Sequence, residues 1–339
     1  MSNGAETTAL TQPTFPLKAP GTAVVHAGPR QAPRIVSVPT RSSEHLVELS
    51  EGADLFAALE QCLTDFAVPG IMGEFVSGQF GRIDYVHPAY GPDAEHPMSF
   101  TEAFSVDDPT QLRHASATIG FREGTPFCHI HGSWTGADGE TKGGHLLPGT
   151  SAGPAGLRIR LFALSDARLI SEVDPETGFS AFAPAPARTF PSDPAEHGRF
   201  PSDEEPPQST TGAVPSPPSL DAVVSRVRPG EILDEAVLAV CRTAGFDSAE
   251  VVASLGSTTG AVFVNGSAPW PAVEFTYLSG TVTGATADGA SSAGPQNPHP
   301  QISLSGEVVD VAGEVRSGVL EPGANPVAVT FELFVRRTA

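Results

Sequence analysis

The run Phe127-Cys-His-Ile-His-Gly-Ser-Trp-Thr-Gly-Ala-Asp-Gly-Glu-Thr-Lys-Gly-Gly-His-Leu146 carries the residues best suited to chemistry. His129 and His131 are separated by one residue, so on a strand both rings leave the same face. A Gly/Asp-rich turn and a Gly-Gly pair then precede His145, which a neighbouring strand can bring alongside them. Three neutral imidazoles converging on one point suit Zn²⁺ or another divalent ion and leave at least one coordination position open. An open position is what a catalytic or ligand-binding metal needs and a purely structural one lacks. Cys128 alternates onto the opposite face and is expected in the core.

The elements that must hold these side chains are mostly strands. Ile35 to Val38 and His45 to Leu49 alternate apolar and polar residues. Glu51-Gly-Ala-Asp54 reads as a turn and helix cap, and Leu55, Leu59, Cys62, Leu63 and Phe66 mark one face of a helix. Strand-like runs follow at 71–76, 82–86, 99–106, 114–121 and 127–133, then at 156–163.

Residues 220–339 repeat this order. Val223 to Gly230 matches the segment from His45 to Gly52, and Glu231 to Gly245 is a second amphipathic helix with a glycine C-cap. In the repeat, Gln301, Ser303 and Val319 are read as standing where the first copy has its histidines. The chain thus divides into a flexible arm over 1–33, a first domain over 34–182, a Pro/Ser/acidic linker over 183–219 and a degenerate second domain over 220–339.

Composition narrows the classes of function. The chain has 339 residues and a formal net charge of -20, and that balance repels nucleic acid phosphates. Nucleic acid is therefore expected to be an unlikely partner. Three widely spaced cysteines argue against a disulfide framework. With no secretory signal and no membrane-spanning run legible, a cytoplasmic protein without membrane contact is expected.

His-x-His, Gly-Gly-His-Leu and the strand-turn-helix over 45–66 together resemble the plants-and-prokaryotes-conserved (PPC) domain. The likeness is good over residues 44–170 and degenerate over 222–336. It implies an α+β fold in each copy, a mainly antiparallel sheet packed with one main helix, and homo-oligomers. Plant members are joined to AT-hooks and bacterial ones carry a DNA-binding label by analogy, but no Arg-Gly-Arg core occurs here. The histidines also resemble those of α-acetolactate decarboxylase, which implies that His129, His131 and His145 are metal ligands.

The resulting expectation is a zinc-dependent, lyase-like enzyme acting on a small carboxylated metabolite. Glu102, Arg122 and His114 are its candidate acid/base, anion clamp and anion donor. The alternative is a non-catalytic metal- or metabolite-binding or protein-interaction module. His45, His87 and His96 are expected at the surface, and Tyr85, Tyr90 and Phe100 in core or subunit contacts.

Overall fold

A computed structural model describes residues 13–187, 220–286 and 300–338. The proposed linker lies outside the described residues except at its start. The first half contains β1 (Ile35–Thr40), β2 (Ser42–Leu49), α1 (Leu55–Asp65), β3 (Gly70–Phe80), β4 (Ile83–Val86), β5 (Pro88–Tyr90), β6 (Met98–Phe100) and β7 (Phe104–Val106). It continues through β8 (Thr110–Arg122), β9 (Thr125–Thr135), β10 (Thr141–Leu147), β11 (Ala152–Leu164), β12 (Ala167–Val173) and β13 (Ser180–Pro186). The second half begins with β14 (Ala222–Val227), α2 (Leu233–Ala244), β15 (Ala249–Val251), β16 (Leu255–Thr258), β17 (Ala261–Phe263) and β18 (Gly266–Ala268). It ends with β19 (Val273–Thr283), β20 (Gln301–Val309), β21 (Val315–Val319) and β22 (Val327–Arg337).

Each half is α+β and dominated by its sheet. The first sheet runs β2-β11-β3-β8-β9-β10-β4-β7, with β12 and β13 attached beside β8. The second runs β1-β14-β22-β15-β19-β20-β21, with β16 between β19 and β22. Strand β1, grouped with the first half on sequence, thus runs antiparallel to β14 in the second sheet. The chain crosses at Arg41, whose guanidinium pairs with Asp166, and Ser42 then bonds Asp221.

Alternation decides what each face meets. Asp54 caps α1 by accepting from the Ala57 N–H at 2.9 Å, and Gly245 ends α2 with φ 70°. Leu55, Leu59 and Leu63 of α1 pack on Cys128 and Ile130, burying one face of the first sheet. Leu233, Val237 and Val240 of α2 do the same with Leu304, Phe331 and Leu333. The opposite faces meet each other: Met72, Phe162 and Leu164 share a cluster with Val224, Leu255 and Phe334. His129 and His131 alternate with Cys128 and Ile130, so their rings point into this seam between the halves.

The described part of the N-terminal arm lies on the body. Val24 is buried, the Gly21 N–H bonds Thr259 O, and Trp270 Nε1–H bonds Thr22 O. Arg34 joins Glu176 and Glu231, while Arg226 and Arg228 both meet Asp174. Among the described residues no helix is long and apolar enough to cross a membrane.

Candidate metal centre at the seam between the halves

Strands β9 and β10 bring the three histidines together. His131 and His145 are direct antiparallel partners, and ligand atoms of His129, His131 and His145 all lie within 4.8 Å of one another. The glycines before His145 serve strand packing: a Cβ at Gly143 would lie 2.6 Å from Val309 of the second half, and one at Gly144 would strike Val86 O.

The second half orients these rings. Glu332, on β22, accepts from His129 Nδ1 at 2.9 Å, and Phe275 O, on β19, accepts from His131 Nδ1 at 3.0 Å. A carbonyl can only accept, so His131 carries its proton on Nδ1 and turns Nε2 inward. His129 Nε2 then faces His131 Nε2 at 3.0 Å, with Glu274 Oε1 3.4 Å from the latter. Two ring nitrogens and a carboxylate oxygen converge on one point, which only a cation satisfies: a proton held between His129 and His131, or a metal ion. Glu274 Oε2 and Glu332 Oε2 are buried without a hydrogen-bond partner. This donor set fits a divalent ion, and the carboxylate and carbonyl behind the rings are the support that metal-binding histidines require.

The electrostatics agree. Burial, then the neighbouring His129, His131 and Arg122, hold His145 well below the usual imidazole range, so it is neutral at pH 7. Burial also opposes charge on His131, but Glu274, the Phe275 carbonyl and Glu332 outweigh it and raise its pKa. Burial pushes Glu332 up, yet the His129 contact and the bonds from Thr118 and the Phe182 N–H leave its pKa lowered.

A cavity of about 400 Å³ opens beside the histidines, lined by Phe100, Phe127, Phe179 and Phe182 among others. Arg122 lies within it, its guanidinium 3.6 Å from the Phe127 ring centre and bonded to Ser171 Oγ. The other two sequence candidates are elsewhere. Glu102 is exposed between β6 and β7 and does not line the cavity. His114 stacks on Tyr277 with ring centres 4.5 Å apart, also outside the cavity. Phe100, expected in a core or subunit contact, is 39% exposed and faces His145 edge-on at 5.9 Å. His87, expected on a surface loop, is buried and stacked on Phe104.

Sequence reasoning missed Glu274 and Glu332, although each is an acid set in an apolar strand run, Val273-Glu-Phe275 and Phe331-Glu-Leu333. It also slipped the repeat by two residues. Val319 pairs with Ser305 on β20 as His145 pairs with His131, and Leu304, like Ile130, faces its helix. Ser303, Ser305 and Val319 therefore replace His129, His131 and His145. A two-residue slip keeps every side chain on its face, so alternation alone could not detect it.

A family model described as the Plants and Prokaryotes Conserved (PCC) domain matches residues 37–162 and 215–339. No curated protein matches the chain. Among solved structures, the chain is similar to a "Putative DNA-binding protein" from Ralstonia eutropha, at 22% identity and TM-score 0.35, covering 44% of this chain and 95% of that one. A metal-containing protein from Archaeoglobus fulgidus is 22% identical with TM-score 0.35, over 43% of this chain and 97% of the other. A plant- and prokaryote-conserved protein from Pyrococcus horikoshii is 16% identical with TM-score 0.33, over 42% and 92%. The expectation that nucleic acid is an unlikely partner is corrected: solved structures to which the chain is similar include ones named putative DNA-binding proteins.

Proposed function

The chain belongs to the Plants and Prokaryotes Conserved domain family through both of its halves, and from that premise we propose a metal-binding module whose site lies at the seam between them. His129, His131 and His145 would hold the ion, and neutral imidazoles with a carboxylate nearby favour Zn²⁺. The observation that carries this reading is the convergence of His129 Nε2, His131 Nε2 and Glu274 Oε1, with Glu332 and Phe275 O fixing the rings from behind. When bound, the ion would act as a Lewis acid toward a ligand oxygen in its open position.

The chain's own groups do the rest. Glu332 and Phe275 O hold the protons on Nδ1 so that both Nε2 atoms remain donors. Aromatic side chains wall the cavity, and Arg122 offers a positive charge to whatever enters. Binding without catalysis is the better-supported reading, because Glu102 and His114 lie outside the cavity. The lyase reading has only Arg122 in its favour. A cytoplasmic location is part of this proposal, supported by Cys62, Cys128 and Cys241 being buried free thiols.

Elemental analysis of the purified chain tests the proposal. One equivalent of metal is expected in the wild type and its loss in His129→Ala; no stoichiometric metal in either, even after incubation with Zn²⁺, would overturn it.

A further inference from the structure

The cavity's walls say what kind of molecule it would take, an inference that rests on the metal reading above. Two features set it apart from a generic cleft. The first is the aromatic lining. Phe100 stands edge-on to His145 at 5.9 Å and to Phe179 at 6.0 Å, and Phe127 tilts against Phe182 at 5.8 Å. A flat ring entering beside the ion would meet aromatic edges and faces on more than one side, the geometry such pairs favour. At about 400 Å³ the cavity is at the small end of ligand pockets.

The second feature is the charge of Arg122. Every other part-buried or buried arginine of the described residues meets a carboxylate. Arg34 pairs with Glu176, Arg41 with Asp166, Arg160 with Glu74, Arg226 and Arg228 with Asp174, and Arg336 with Glu250. The bonds of Arg122 go instead to the neutral Ser171 hydroxyl, while its face is spread on Phe127. Burial lowers the Arg122 pKa and the exposed neighbour Glu123 offsets this only in part, so an anion in the cavity would relieve a partly desolvated cation.

The charges lining the cavity favour a singly charged anion. The carboxylates of Glu274 and Glu332 would balance a divalent ion, and among the side chains lining the cavity Arg122 is then the one remaining permanent charge. Arg34, Arg226 and Arg228 lie outside the cavity lining and each already pairs with a carboxylate of Glu176, Glu231 or Asp174.

We propose that the cavity binds a small, planar aromatic monoanion, with its oxygen head on the metal beside Arg122 and its ring among Phe100, Phe127 and Phe179. Multiply charged phosphates and small aliphatic anions would each match only part of this site.

Titration of the full chain loaded with Co²⁺, followed through the visible spectrum of the ion, tests the assignment. Benzohydroxamate, acetohydroxamate and inorganic phosphate are the probes, and bound Co²⁺ is measured first. Benzohydroxamate is expected to bind at least about tenfold more tightly than acetohydroxamate, since the two share a head and differ by the ring. Phe100→Ala should bring that ratio toward one through the benzohydroxamate value alone. Arg122→Met should weaken both hydroxamates about equally without changing the Co²⁺ content. Equal affinity for the two hydroxamates, or tighter binding of phosphate than of benzohydroxamate, overturns the ligand assignment and leaves the metal site standing. Failure to load Co²⁺ overturns the metal reading and this assignment with it.

Discussion

Replacing Glu332 by Gln separates the second half's role in the site from its role in the fold. Glu332 lies 203 residues from His129 in the chain and accepts its Nδ1 proton at 2.9 Å, and the same oxygen receives the Phe182 N–H at 3.3 Å. A glutamine carbonyl can accept both bonds, so the shape and these two bonds survive and the negative charge behind the ring is lost. Removing such a supporting carboxylate weakens metal binding about 10–100-fold. A thirtyfold loss in the middle of that range is about 2 kcal/mol. At a metal concentration about 1,000 times the wild-type Kd, the ion stabilises the wild type by about 4.1 kcal/mol and Glu332→Gln by about 2.1. At about 2 °C per kcal/mol for a chain this large, the metal-induced rise in Tm shrinks by about 4 °C. Competition against a chelator gives Kd, and thermal unfolding with and without Zn²⁺ gives the shift. A Kd within twofold of wild type, in a variant with normal circular dichroism, would refute the argument that the second half tunes the first half's histidines.

Three further outcomes follow from the same contacts. His145→Ala should abolish stoichiometric metal while leaving the apo fold intact, because its ring faces the cavity; elemental analysis and circular dichroism check this. Arg113→Met leaves the Glu307 carboxylate, 1% exposed, without its cation across the seam. With Arg113 itself 38% exposed, the loss is expected at about 2 kcal/mol by urea unfolding, below the range for a fully buried pair. Asp174 is pushed up by burial but held net below the usual carboxylate range by Arg226 and Arg228. A depressed folded-state pKa contributes stability that is present above the unfolded value of about 3.9 and lost as pH falls through the folded value. Asp174→Asn should therefore be clearly less stable than wild type at pH 7, with the gap narrowing below about pH 4; a constant gap from pH 7 to pH 2.5 would contradict this ionic role.

Much of this fold could be read from local pattern. The spacing of Leu55, Leu59, Cys62 and Leu63 marks α1, Gly245 ends α2 in the left-handed conformation its type allows, and His-x-His on a strand puts both rings on one face. What escaped depends on pairing across long stretches of chain. Nothing near Ile35 says that its strand will run beside Val227 rather than join its neighbours in the first sheet. Glu274 and Glu332 look like ordinary strand acids until the two sheets face each other. Phe100 reads as core because a phenylalanine is usually buried, yet here it walls the cavity.

The placement of β1 bears on how this protein can be made and cut. Residues 35–40 leave the ribosome before their hydrogen-bonding partner at 222–227, which follows more than 180 residues later. The strand must wait through synthesis of the whole first sheet before it can pair. A protease cut within residues 188–219 would leave β1 on one fragment and its sheet on the other. The separated second fragment would expose the β14 edge, whose residues Ala222 to Val227 are all buried in the intact chain. The gene repeats itself, but the products of the two repeats are not independent parts: each half is completed by residues encoded in the other.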